Sequence, residues 1–113
     1  MEFNYLNAQI QKICEKRQTA VAELGEAAAL DLERTLADID ACDHALDFRA
    51  LYDDIVEELS PHRWAVRLAG ECNLELASAH VSPRLTKTGV TDWGKVTRLR
   101  IAAVGGRNDK GGL

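Results

Sequence analysis

Apolar and polar positions follow a period near 3.6 in the first half of this chain and near 2 in the second. Residues 2–5 (Glu-Phe-Asn-Tyr) alternate, with Phe3 and Tyr5 on one side, which predicts a short half-buried strand. Leu6, Ile10, Ile13 and Cys14 then recur at helical spacing, residues 18–23 add a further turn, and Gly25 interrupts as a helix terminator does. Ala28, Leu32, Leu36 and Ile39 form one stripe over residues 26–42. Asp31, Glu33, Arg34, Asp38 and Asp40 mostly lie off it, so this stretch is a helix with a core-facing side.

Residues 43–59 read two ways. Phe48, Leu51, Tyr52, Ile55 and Leu59 fit a helical stripe, while Ile55, Glu57 and Leu59 also alternate as in a strand; propensity favours the helix. Ser60-Pro61 ends the element in either case. Beyond it Trp64, Val66 and Leu68 alternate with Ala65, Arg67 and Ala69, Gly70-Glu71 turns the chain, and Cys72, Leu74 and Leu76 alternate in their turn. That is an antiparallel hairpin. Residues 78–95, punctuated by Pro83, Gly89 and Gly94, read as a loop. In a last strand, at 96–104, Thr97, Leu99, Ile101 and Ala103 share one face, and Val96, Arg98, Arg100, Ala102 and Val104 the other. The fold class is therefore α+β: a small antiparallel sheet with N-terminal helices packed on one face. Residues 1–104 make one domain, and 105–113 a flexible glycine-rich tail.

At 113 residues, 46% apolar and 28% charged, the chain can bury a core of its own. No apolar run is long enough to span a bilayer, and Met1-Glu2-Phe3-Asn4 does not begin a signal peptide, so a cytoplasmic protein without membrane contact is expected. Cys14, Cys42 and Cys72 are too far apart for a zinc or CxxC motif and read as reduced apolar side chains; no metal or cofactor is expected. The net charge of −4 conceals a split. Residues 1–59 hold five Lys/Arg and fourteen Asp/Glu, whereas residues 60–113 hold nine and four. A basic second half suits an anionic partner, and equally suits an acidic helical surface beside a mildly basic sheet.

No Walker loop, GxGxxG, HExxH, EF-hand or GxSxG occurs. Asp53-Asp54 and Glu57-Glu58 are adjacent pairs whose members cannot face one site, and read as solvated. His44 ends the acidic helix, where it complements the helix C-terminus; His62 lies in the turn before Trp64; His80 lies in the loop after the hairpin. Each also reads as an ordinary exposed or structural histidine. Arg98 and Arg100 share one strand face and form the most credible phosphate patch, against the plainer alternative of solvated strand arginines.

Several segments, in order, resemble the RelE superfamily of bacterial toxins, and within it the HigB-like plasmid-maintenance killer branch. They are Ile13-Cys14, Ala20-Val21-Ala22-Glu23-Leu24-Gly25, Leu36-Ala37-Asp38-Ile39-Asp40-Ala41, Trp64-Ala65-Val66-Arg67-Leu68-Ala69-Gly70, Gly89-Val90-Thr91-Asp92-Trp93 and Val96-Thr97-Arg98-Leu99-Arg100-Ile101. The resemblance covers roughly residues 2–104. It implies a short helix near 44–51 and a strand at 55–59, against propensity. It also implies the toxin of a toxin–antitoxin pair that cuts messenger RNA on the ribosome and is held by a cognate antitoxin, of helix-turn-helix type.

Functional residues depart from the family pattern. Where the family has a His-Glu-Leu-Lys-Gly-like segment, this chain has Val56-Glu57-Glu58-Leu59-Ser60-Pro61; Asn73 stands where an Arg is usual, and Gly106-Arg107-Asn108 where Asp-Tyr-His is frequent. No catalytic residue is carried over. Metal-free RNA cleavage needs a base for the 2′-hydroxyl, an acid for the leaving oxygen and cations for the phosphorane. The candidates here are His62, Arg63 and Arg107 for catalysis, and Arg67, Arg98, Arg100 and Lys110 for RNA binding. A catalytically degenerate binding protein of the same fold and a ParE-like gyrase-directed toxin stand as alternatives.

Overall fold

The computed structural model describes residues 1–106. Strand β1 (Glu2–Tyr5) leads into helices α1 (Ala8–Glu15), α2 (Arg17–Leu24), α3 (Glu26–Ala41) and α4 (Ala45–Leu51). Strands β2 (Val56–Ser60), β3 (Arg63–Leu68), β4 (Cys72–Ser78) and β5 (Arg98–Gly106) follow. The fold is α+β, with the helices against one face of a five-stranded sheet of order β1-β5-β4-β3-β2.

Local chemistry accounts for the element boundaries. Extended Asn7 caps α1, its side chain accepting the Ile10 N–H at 2.9 Å, a bond worth about 1 kcal/mol. Gly25, at φ 90°, ends α2 and opens α3 in a conformation that a Cβ would strain. Gly70 and Glu71 both take positive φ in the tight turn joining β3 to β4, which matches the twist of a hairpin. The ambiguous stretch resolves into α4 and β2, as the resemblance implies and propensity does not. Phe48 and Ala45 of α4 are fully buried in a helix that propensity also favours; at β2 propensity is overridden, because Val56 is buried and pairs with Val66 of β3.

Trp64, Val66, Leu74, Leu76, Leu99 and Ile101 bury the inner face of the sheet against Leu32, Leu36, Ile39 and Phe48. Each such side chain contributes roughly 1.5–3 kcal/mol by leaving water.

Three expectations are corrected. The sheet is mixed: β1 runs parallel to β5, with Phe3 opposite Leu99 and Tyr5 opposite Ile101. Helices and three strands separate these two in sequence, so no turn imposes an antiparallel pairing. The last strand starts at Arg98 and continues through Gly106; Val96 precedes it and is fully buried, its carbonyl accepting the Ala45 N–H. Thus Gly105 and Gly106 are ladder residues opposite Asn73 and Cys72 rather than tail; the rest of the predicted tail lies outside the described residues. Finally, Glu75 pairs with Ala103 but Leu76 with Ile101, leaving Ala102 as the extra residue of a bulge. The bulge reverses the alternation, so Val104, opposite Leu74, joins the core side in place of Ala103.

Candidate functional site

No described helix covers the other face of the sheet. Alternation along the strands puts Arg63 and Arg67 of β3, Glu75 and Ala77 of β4, Arg98 and Arg100 of β5, and Glu2 and Asn4 of β1 on it. Arg63, Ala77, Arg100 and Asn4 form one row across four strands. The arginines are not a bare cationic patch. Arg63 pairs with Glu75 at 3.1 Å, Arg98 with Glu2 at 3.2 Å, and Arg100 donates to Asn4 at 3.4 Å. Arg67 has no ion pair among the described residues. Exposed pairs of this kind hold by about 0–1 kcal/mol, little enough for a polyanion to compete with them.

At one end of this face the β2–β3 turn, the end of β4 and the loop before β5 enclose a cleft of about 470 Å³, within the size range of small-ligand sites. His62, His80, Ser78 and Thr91 supply its polar lining, and Ala77, Pro83 and Leu85 its apolar lining. No carboxylate lines it, in a chain of net charge −4. The concavities beside Arg67 differ in this respect, one carrying Asp31 and the other Asp54 and Glu57. Through Ala77 the cleft adjoins the Arg63–Arg100 row.

His62 is exposed in the β2–β3 turn, its N–H donating to the Ser60 hydroxyl at 3.1 Å. Its Nδ1 lies 2.7 Å from Oγ1 of buried Thr91, which orients the ring and leaves Nε2 for other chemistry. Thr91 is held in turn by the residues after it. Trp93 stacks on Trp64 with centroids 4.0 Å apart and rings 22° from parallel. The Arg49 guanidinium lies 5.1 Å from the Trp64 ring centroid.

His80 Nε2 accepts the Thr97 backbone N–H at 3.0 Å. A backbone amide only donates, so Nε2 is unprotonated and Nδ1 carries the ring proton. Burial lowers the pKa of this imidazole, and the Arg84 and Arg98 charges lower it further. His80 is thereby kept as an uncharged hydrogen-bond donor.

Of the residues singled out from sequence, His62 lines the cleft and Arg63 and Arg100 lie in the adjoining row; Arg98, opposite Glu2, lies one row further along β5, and Arg67 one row beyond Ala65, towards the β3–β4 turn. Arg107 and Lys110 lie outside the described residues. His44 does not close α3; it precedes α4 as its N-cap, with Nε2 3.5 Å from Asp47. Cys42 and Cys72 are buried and in no disulfide, and burial pushes the Cys14 thiol up to about 12, so it stays protonated. No spacing in the sequence assigns Thr91 a role, because it meets His62 across 29 residues. The Gly89-Val90-Thr91-Asp92-Trp93 segment is the available signal. No family model matches the chain, and neither a curated protein nor a solved structure matches it at a significant level.

Proposed function

We propose that this chain is the toxin of a toxin–antitoxin pair, similar to the HigB-like killers, and that it acts on RNA through the open sheet face and its cleft. The observation that carries the reading is the placement of His62 at a carboxylate-free cleft, with Arg63 next to it in sequence and Arg100 in the adjoining row. An RNA strand on the face meets these cations. Nε2 of His62 takes the proton of a 2′-hydroxyl, the freed oxygen attacks the adjacent phosphorus, and the 5′-oxygen departs with a proton from solvent. A 2′,3′-cyclic phosphate and a 5′-hydroxyl result. The arginines stabilise the extra negative charge at phosphorus. A cognate antitoxin of helix-turn-helix type, presenting an acidic segment, would be steered to the same face.

Induced expression followed by primer extension on cellular messages tests this. Growth arrest with cleavage at fixed positions in codons is expected, falling by about 10²-fold or more in His62→Ala, the usual contribution of a general base. Arrest without cleavage would overturn the nuclease.

The degenerate binding protein remains the second reading, because Glu75, Glu2 and Asn4 already engage three of the four arginines of the face. It predicts co-purification with the product of an adjacent gene and neither arrest nor cleavage.

A further inference from the structure

We infer that the cleft is a subsite for a single nucleotide, in which His80 donates to the phosphate through Nδ1, His62 accepts from the ribose hydroxyl through Nε2, and Pro83 and Leu85 form the wall for the base. The choice of ligand rests on the RNA-directed reading above; the site itself rests on the following geometry.

The Thr97 N–H occupies Nε2 of His80. Nδ1 is therefore a donor, and no described residue accepts from it. Thr91 occupies Nδ1 of His62 and leaves Nε2. Each histidine that lines the cleft thus has one nitrogen committed to the fold and one without a described partner. A donor nitrogen on His80 and an acceptor nitrogen on His62, on one carboxylate-free cleft, suit a phosphate beside a sugar hydroxyl. Arg84 and Arg98 lie close enough to depress the charged form of His80, and the same positive potential attracts a phosphate.

The remaining lining is apolar. Leu85 is 47% exposed, and its backbone is fixed by pairing with Thr91 and by the bond from Asp92 N–H to the Arg84 carbonyl at 2.8 Å. An apolar side chain held out of the core beside two polar anchors fits a ligand with a flat apolar part and an anionic part. A cleft of about 470 Å³ has room for a ligand the size of one nucleotide.

The test is titration of the ¹⁵N-labelled full chain with uridine 3′-monophosphate and, separately, with inorganic phosphate. Saturable shifts are expected at His80 for both probes, and at His62 and Thr91 for the nucleotide. His80→Gln should weaken both about tenfold, the effect of one hydrogen bond to a charged group. Leu85→Ala, at an exposed position that tolerates truncation, should weaken the nucleotide and leave phosphate unchanged. Lys12→Ala removes a charge on the helical side and should change neither. Shifts spread over the sheet face without saturation, or absent from the two histidines, would overturn the subsite. Equal effects of Leu85→Ala on both probes would overturn the base wall. Nucleotide binding without cellular cleavage keeps the subsite and loses the toxin; cleavage without these shifts does the reverse.

Discussion

Trp93 lies on Trp64 with ring centroids 4.0 Å apart, and so ties the loop before β5 to the core side of β3. Trp64 is fully buried in β3, one residue after Arg63 and two after His62. Thr91, two residues before Trp93, reaches His62. The stack therefore sets the distance between the turn that carries the candidate base and the loop that orients it.

Trp93→Ala should destabilise the protein by about 2–3 kcal/mol, below the cost of emptying a fully buried aromatic site because Trp93 is only partly buried. Urea unfolding measures this. Trp93→Phe should recover at least half of the loss, and full stability in Trp93→Ala would show that the stack is not a structural tie.

Thr91→Val keeps the shape of a buried side chain and removes the hydroxyl 2.7 Å from His62. The expected cost is about 1 kcal/mol. The His62 ring ¹⁵N shifts should move towards a mixture of tautomers, since nothing else among the described residues holds Nδ1. Unchanged ring shifts would remove Thr91 as the positioning residue.

His80 makes stability depend on pH in a defined direction. Its folded pKa is lowered from the ordinary value of 6.5, first by burial and then by Arg84 and Arg98. Between the folded pKa and 6.5 the unfolded chain binds a proton that the folded chain does not, so stability rises with pH there. The contribution is complete above 6.5 and is lost as pH falls towards the folded value. The difference in unfolding free energy between the wild type and His80→Gln should be constant from pH 7 to 8 and shrink at pH 5; a pH-independent difference would refute it.

On the open face, Arg67→Ala and Arg100→Ala should weaken binding of a short single-stranded RNA across sequences alike. Each should reduce the slope of log affinity against log salt by about 0.7, the value for one phosphate contact on a single strand. Filter binding between 50 and 200 mM salt, concentrations that span the steep range for such contacts, reads the slope. An unchanged slope in both variants would take the RNA path off this face.

The elements that sequence alone determined are those whose signal is local. The stripe of Leu32, Leu36 and Ile39 specifies α3, the alternation of Trp64, Val66 and Leu68 against Cys72, Leu74 and Leu76 specifies the hairpin, and Gly25 and Gly70 occupy the positive-φ positions that separate elements. Alternation likewise placed Arg98 and Arg100 on one face, because period two survives wherever no bulge intervenes. Tertiary structure alone decided the rest. The parallel pairing of β1 with β5, the bulge at Ala102 that turns Val104 inward, and the meeting of His62 with Thr91 and of His80 with Thr97 all join parts of the chain that no local pattern relates. Such contacts depend on which apolar faces pack together over long sequence separation, and only the closed core sets those distances.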